Sequence, residues 1–376
     1  MTCLEVSAWI FPPLGYNPVM DYLGRQRRLR QLLEDNKLDA ILVTHLPNVR
    51  YLCGFTGSAA ALILGKRTLF FTDGRYTEQA REQVKGARIG ITRGAALTGA
   101  TEALTALKSS RVGVEADHVT MGTHINFRKT LPKAIRLRPT HGLVEQLRLV
   151  KDADELRLIR EAVIAGAAPL KSALKAIRPG ATELEVAAEI EYAARRQGAE
   201  GMSFETIVAA GPRSALPHGT ASNQRIHAKG FVVLDFGVIL RGYCSDMTRT
   251  VFVGDATKAD RLLYGAVLEA QMAAITAVGP GVEVGQVDAA ARSVLRKAKL
   301  DRYFTHSTGH GVGLEIHEAP RVARAQRQQL QPGMVITIEP GAYVPGRGGV
   351  RIEDMVAVTE RGCEVLTPAR KELLEL

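Results

Sequence analysis

The stretch FVVLDFGVILRGYCSDMTRTVFV, residues 231–253, commits the chain to a specific and costly piece of structure. Two runs rich in apolar and β-branched residues flank Arg241-Gly242, which reads as a two-residue hairpin loop. With that loop, Leu240 pairs with Tyr243 and Asp235 falls opposite Thr248. Asp246 then shares a face with Asp235 as its diagonal neighbour, about 7 to 8 Å away. Two carboxylates on one face of an apolar hairpin repel each other, and burial without partners would force one to stay protonated. An edge position, or a salt bridge to a base such as Arg249, would relieve either aspartate alone.

Two further acids make that local remedy insufficient. VITIEPG places Glu339 at the end of an apolar strand, and GGVRIEDM places Glu353 inside another. An acid so embedded is costly to bury without a partner. Asp235, Asp246, Glu339 and Glu353 together carry four negative charges, which two divalent cations would balance. The stretch THSTGHGVGLEIHE, residues 305–318, adds His306, His310 and His317 on a backbone too rich in glycine for a helix. The helical zinc motif with a glutamate between two histidines fails there, because Ser307 stands where that glutamate would be. One neutral imidazole from this stretch would complete the acid cluster.

Oxygen-rich ligands with a single nitrogen suit Mn²⁺, Co²⁺ or Zn²⁺ in a bridged pair better than a closed structural zinc site. Such a pair can hold a hydroxide nucleophile and polarise a carbonyl, the arrangement of metal-assisted hydrolysis. The glycines are expected to bring the backbone close to ions and substrate. The remaining histidines would donate to the reacting carbonyl or its tetrahedral product. Cys244 shares strand parity with Asp246 and reads as a small core residue.

At 376 residues, with 46% hydrophobic and 23% charged, the chain can bury a full core and is expected to form two domains. Residues 1–19 read as an irregular extension. Residues 20–150 read as a small α/β domain, with strands at 39–45, 58–64, 67–73 and 111–117 and helices in GRYTEQAREQV and TGATEALTALK. From 151 to 376 helices and strands group separately, which favours α+β. A helix capped by Asp152 or Asp154 is expected to run to about Ile177, and a second to open at Thr182 or Glu183. Strands dominate from 207 to 253. Helices follow near 257–278 and 284–299, then late strands near 334–339 and 349–358.

The net charge of +10 and the run RQRRLR (residues 25–30) raise nucleic acid as a partner. These arginines fall on an amphipathic helix whose apolar side is Leu23, Leu29, Leu32 and Leu33. They read as its solvated face, without interleaved aromatic residues, so no nucleic-acid partner is expected. A positive field would equally steer small anionic substrates. No apolar run approaches a membrane span and no secretory signal opens the chain, and four scattered cysteines lack any CxxC pair. A cytoplasmic protein with reduced thiols and no membrane partner is expected.

LDFG, SDMTRT, HSTGHGVGLEIHE, IEPGAY and GVRIED, in this order, resemble the pita-bread metallopeptidases, and LPHGTAS matches their proline-specific branch, prolidase and aminopeptidase P. NVRYLCGFTGS and FTDGRY resemble the creatinase/prolidase amino-terminal domain. The resemblance covers nearly everything from Met20 onward. It implies a pita-bread catalytic domain behind a smaller creatinase-like one, two divalent ions per chain with Mn²⁺ ahead of Co²⁺ or Zn²⁺, and a homodimer. It implies metal ligands Asp235, Asp246, His310, Glu339 and Glu353, with Glu339 also shuttling the proton. His218, His306 and His317 correspond to substrate-side histidines, and Tyr343 and Arg351 to residues lining the pocket. The implied reaction is hydrolysis of an Xaa-Pro bond, in dipeptides or longer peptides; compact length leans to dipeptides. A methionine aminopeptidase, or an inactive binding protein on the same fold, are the alternatives. On a plainer reading His218 is a surface residue beside Pro217, and Arg351 pairs with Asp354 or another buried acid.

Overall fold

In the computed structural model, which describes residues 20–106 and 110–376, the alternating apolar segments of the amino-terminal part build one six-stranded sheet. The expected extension 1–19 lies outside the described residues. The strands are β1 (Ala40–Val43), β2 (Ala61–Leu64), β3 (Thr68–Asp73), β4 (Arg88–Thr92), β5 (Arg111–Glu115) and β6 (Arg136–Thr140), in the order β4-β3-β2-β1-β5-β6. β1 and β2, AILV and ALIL, are buried at every position, as uninterrupted apolar runs require. Helices α1 (Tyr22–Asp35), α2 (Leu46–Cys53), α3 (Thr77–Gln83), α4 (Ala96–Ala106), α5 (Met121–Thr130) and α6 (Glu145–Arg148) accompany the sheet.

α1 departs from its expected orientation. Leu29 and Leu33 are buried, but Leu23 is 61% exposed, while Arg25 and Gln26 are buried in its place. Arg25 is therefore no solvated charge. Its Nη2 lies 2.8 Å from Asp152 and 3.2 Å from Glu155, and its guanidinium stacks 4.2 Å over the Tyr51 ring. Two acids and an aromatic face offset the burial of the cation. The contact joins α1 to the start of the second part.

There Asp152 caps α7 (Ala153–Ala167) in a reciprocal pair with Glu155. The helix does not run on to Ile177. Pro169 lacks the amide hydrogen the next turn needs, and a new helix, α8 (Leu170–Ala176), starts after it. α9 (Glu183–Arg196) opens at a Thr182 cap as expected. The strands that follow are β7 (Gly201–Met202), β8 (Ile207–Ala210), β9 (Gly230–Phe236), β10 (Val238–Leu240), β11 (Tyr243–Cys244) and β12 (Met247–Val253). Leu240 pairs with Tyr243 and Asp235 with Thr248, and Arg241 and Gly242 both take positive φ, as a two-residue I′ loop demands.

α10 (Lys258–Thr276) and α11 (Val284–Lys297) precede β13 (Gly309–Gly311), β14 (Glu318–Val322), β15 (Val335–Ile338), β16 (Gly341–Val344), β17 (Gly348–Arg351), β18 (Asp354–Thr359) and β19 (Gly362–Val365). Two sheets frame the site, β12-β9-β8 and β14-β13-β15-β18-β19. Val232, Leu234 and Phe236 of β9 pack with Ala173 of α8 and Ile190 of α9. Phe231, on the opposite face, joins a core with Val267 of α10, Val287 of α11 and Ile336 of β15. The odd-numbered face of β9, with Asp235, thus turns away from α8 and α9. The strand expected over 349–358 is split: β17 pairs with β16, β18 with β15 and β19, and Glu353 lies in the junction rather than inside a strand.

Candidate active site

Four separate backbone features deliver the four carboxylates. Asp235 stands near the end of β9, Asp246 in the gap between β11 and β12, Glu339 one residue beyond β15, and Glu353 between β17 and β18. Three of the four sit where a strand ends or changes partners, so their side chains are free of the strict alternation of a continuous strand. Gly237 makes the approach beside Asp246 possible, since a Cβ there would stand 1.8 Å from the Ser245 carbonyl oxygen.

His310 faces this cluster. Its Nδ1–H donates to the Gly311 carbonyl oxygen at 3.0 Å, which leaves the Nε2 lone pair 3.6 Å from Asp246 Oδ2 and 3.5 Å from Glu339 Oε1. Asp246, His310 and Glu353 offer ligand atoms within 4.8 Å of one another. The glycines around His310 bring backbones close together. A Cβ on Gly309 would lie 1.9 Å from the Thr337 carbonyl oxygen, and one on Gly311 2.1 Å from that of Ala319. They let β13 lie against its neighbours' backbones, and the imidazole is aimed by that fit.

Electrostatically the cluster is frustrated. Burial, then the charges of Glu353, Asp235 and Glu339, push the Asp246 carboxyl well above the ordinary carboxylate range. Glu353 is pushed up for the same reasons, and Glu339 rises to about 8, chiefly by burial. Burial holds His310 down to about 4, so its imidazole is neutral at physiological pH. Arg351 is the side-chain cation that offsets these acids: its Nη2 reaches Asp235 Oδ2 at 2.5 Å. Asp235 Oδ1 and Asp246 Oδ1 are nonetheless buried without a hydrogen-bond partner. Two orphaned carboxylate oxygens, two more acids and one neutral nitrogen fit divalent cations, which would satisfy all of them at once.

Arg351 and Tyr343 extend the site. Tyr343, on β16, accepts from Arg351 Nη1 at 2.6 Å and donates to His306 Nε2 at 2.8 Å. The other His306 nitrogen donates to the Ser307 carbonyl, so the ring is fixed in one neutral tautomer, and burial followed by the charge of Arg351 lowers its pKa to about 3. Of the two plainer pairings, Arg351 takes the one with another buried acid, Asp235, and not the one with Asp354, which Arg249 and Lys371 occupy. His317 packs its ring 4.5 Å from that of His310. His218 lies in the exposed turn after Pro217, close enough for its charge to depress both His306 and His317; His317 is exposed like His218, while His306 is half-buried. Cys244 is buried beside the Leu314 carbonyl, and burial raises its thiol to about 12.

Several supporting residues escape a reading based on acids and histidines. Thr248 donates to Glu353 at 2.7 Å and accepts from Arg351, and Thr337 donates to Glu339. Strand pairing alone would have found Thr248, since it is the partner of Asp235. Glu183, wholly buried at the start of α9, accepts from Ala210 N, Arg213 Nε and both the backbone and hydroxyl of Ser222, closing the loop that carries His218. No nearby chemistry flags it, because its partners lie 27 to 39 residues away.

Residues 157–360 match Metallopeptidase family M24, and residues 25–150 match the Creatinase/Prolidase N-terminal domain. An Xaa-Pro dipeptidase of Pyrococcus horikoshii is 36% identical over 94% of this chain and all of its own. Among solved structures, an Xaa-Pro dipeptidase from Bacillus anthracis superposes with a TM-score of 0.92 at 41% identity, covering 95% of this chain and all of that one. An X-Pro aminopeptidase from Thermotoga maritima reaches 0.86 at 33% identity over 94% and 100%. The matches over both parts of the chain agree: it belongs to metallopeptidase family M24, a pita-bread catalytic domain preceded by a creatinase-type amino-terminal domain.

Proposed function

We propose that this protein hydrolyses the Xaa-Pro bond of dipeptides, releasing the residue that precedes proline. Asp235, Asp246, His310, Glu339 and Glu353 would hold two divalent metal ions, Mn²⁺ ahead of Co²⁺ or Zn²⁺. The observation that carries the proposal is the meeting of Asp246, His310 and Glu353 within 4.8 Å beside Glu339, with Asp235 Oδ1 and Asp246 Oδ1 buried and unpartnered. When bound, the ions supply Lewis acidity and lower the pKa of water to near neutrality.

The chain's own groups supply the rest. Glu339, the acid that faces His310, holds the proton taken from water and hands it to the proline nitrogen as the secondary amine leaves. An Xaa-Pro amide has no N–H to offer a peptidase, so recognition falls on the carbonyl and the ring. His218 and His317, on the open side, donate to the carbonyl oxygen as charge develops there. His306 already accepts from Tyr343, and Arg351 holds that hydroxyl, so this trio shapes the pocket wall. Gly309 and Gly311 fix His310 by backbone contact and exclude a looser arrangement.

The amino-terminal creatinase-type domain disfavours a methionine aminopeptidase, and the complete ligand set disfavours an inactive binding protein. Similarity to both a dipeptidase and an aminopeptidase makes substrate length the quantity to measure. Hydrolysis of Ala-Pro, Ala-Pro-Ala and Met-Ala-Ser with Mn²⁺, against an Asp246→Asn control, tests the reading. Cleavage of Ala-Pro alone supports it. Preference for Ala-Pro-Ala means an aminopeptidase with space beyond proline, and cleavage of Met-Ala-Ser alone removes proline from the assignment. The proposal includes a homodimer, for which light scattering should give twice the mass of the chain, and a cytoplasmic location. Among the described residues no helix is long and apolar enough to cross a membrane.

A further inference from the structure

His317 is the most exposed of the histidines in the glycine-rich stretch, yet the backbone on either side of it is pinned. Glu315 and Glu318 flank it, and both carboxylates meet the same side chain. Arg148, at the end of α6, brings Nη2 to 2.8 Å from Glu315 Oε2 and 2.5 Å from Glu318 Oε1. Lys151 adds a contact at 3.1 Å to the other Glu318 oxygen. Glu318 Oε1 also accepts the backbone N–H of Glu315 at 3.1 Å, closing the turn on itself. Gly313 leaves room for this carboxylate: a Cβ there would stand 2.6 Å from both Glu318 oxygens, and Glu318 would have to shift.

Arg148 is itself held from the amino-terminal domain. It is 2% exposed, and its Nη1 donates to Asn48 Oδ1 at 2.7 Å. Asn48 Nδ2 in turn donates to Glu115 at 2.8 Å and to Glu145 at 2.6 Å, while the second Glu115 oxygen accepts the backbone N–H groups of Thr44 and His45. His45 Nε2 lies 2.9 Å from Glu315 Oε1 and stacks on His118. A planar fork with its ends fixed this way cannot be replaced by a point charge, since only a guanidinium spans two carboxylates and an amide oxygen together.

We infer that Arg148 is a positioning residue for His317: by clamping Glu315 and Glu318 on either side, it sets where the imidazole stands over the substrate carbonyl. The inference builds on the proposed role of His317 in Xaa-Pro hydrolysis. Neither Arg148 nor the two glutamates contributes to the acid cluster, so metal retention is separable from the effect. The amino-terminal domain thereby acquires a part in turnover through one guanidinium, and displacement of a catalytic group by about 1 Å can cost about a hundredfold in rate.

The test is a double-mutant cycle on the Mn²⁺-loaded full-length protein with Ala-Pro as substrate, combining Arg148→Lys with His317→Ala. Arg148→Lys is expected to lower kcat about ten- to a hundredfold with metal content unchanged, and to cause no further loss once His317 is alanine. Should Arg148→Lys fail to fold, Glu315→Gln, at a partly exposed position, replaces it in the same cycle. An unchanged kcat, or a full multiplicative loss in the His317→Ala background, overturns the clamp. If His317→Ala alone leaves turnover intact while Asp246→Asn abolishes it, the role assigned to His317 falls and the clamp falls with it, but the metallopeptidase reading stands.

Discussion

Arg351 and Asp235 meet at 2.5 Å inside the acid cluster, and that guanidinium also donates to the Tyr343 hydroxyl and to the Pro217 carbonyl oxygen at 3.0 Å. One buried cation therefore ties a proposed ligand to the pocket wall and to the turn that carries His218. Its charge partly offsets the acids, while its fork fixes the relative placement of three segments distant in sequence.

Replacing that fork by a point charge separates the two effects. Arg351→Lys keeps a cation near Asp235 but cannot also reach Tyr343 and Pro217. Metal content should persist, while kcat/KM for Ala-Pro falls about tenfold or more, at about 1.4 kcal/mol of transition-state stabilisation per factor of ten. Steady-state kinetics with metal analysis checks this, and full activity in the variant would mean that charge alone matters.

Removing one acid should have opposite effects with and without metal. Asp246→Asn relieves the repulsion that pushes this carboxyl up, so the metal-stripped variant should melt no lower than the metal-stripped parent. Mn²⁺ at a hundredfold excess over its Kd should stabilise the parent by about 2.7 kcal/mol, raising its melting temperature, and leave the variant unmoved. Thermal scans with chelator and with Mn²⁺ read both arms. Equal metal-induced shifts in the two proteins would remove Asp246 from the ligand set.

The hairpin with Asp235 was legible in the sequence because a two-residue loop fixes register, and register fixes which side chains share a face. The starts of α7 and α9 were legible for a similar reason, since capping is a local contact between residues three apart, though the choice of Asp152 over Asp154 and of Thr182 over Glu183 came with the fold. Glu353 was misplaced within a strand because nothing local announces that a strand changes partners at Ile352. Arg25 was misread as solvated, because helical periodicity sees the apolar face of α1 but not the Asp152–Glu155 pair that comes to meet it. Glu183 and Arg148 were missed on the same ground: each binds groups far away in the chain, and only the fold brings them together.

The Glu183 contacts predict a specific catalytic defect. This carboxylate joins both ends of the 210–222 loop, and Arg213 carries the connection onward to the Thr220 carbonyl oxygen. Glu183→Gln loses the ion pair with Arg213 and at least one of the acceptor roles, so His218 should lose its fixed position. We expect kcat to drop severalfold with metal content preserved, and no additional loss when His218 is already alanine. Losses that multiply in the double variant would show that Glu183 supports the fold generally rather than this loop.

Glu315 should make the junction between the domains sensitive to acid. Burial acts to raise its pKa, but the His45 hydrogen bond and the nearby Arg148 more than reverse this and bring it to about 2. The unfolded value is about 4.3, so the folded form binds its proton less readily, and the contribution to stability is fully present above that pH. It is lost progressively as the pH falls from about 4 toward 2, when Glu315 becomes neutral and faces His45 and Arg148 without its charge. Glu315→Gln should therefore lower the melting temperature at pH 7, and the gap to the parent should narrow as titration proceeds below pH 4. Chemical denaturation of both proteins at pH 7, 5, 4 and 3 measures the gap. A difference that stays constant across this range would place the value of Glu315 in its shape and hydrogen bonds rather than in its charge.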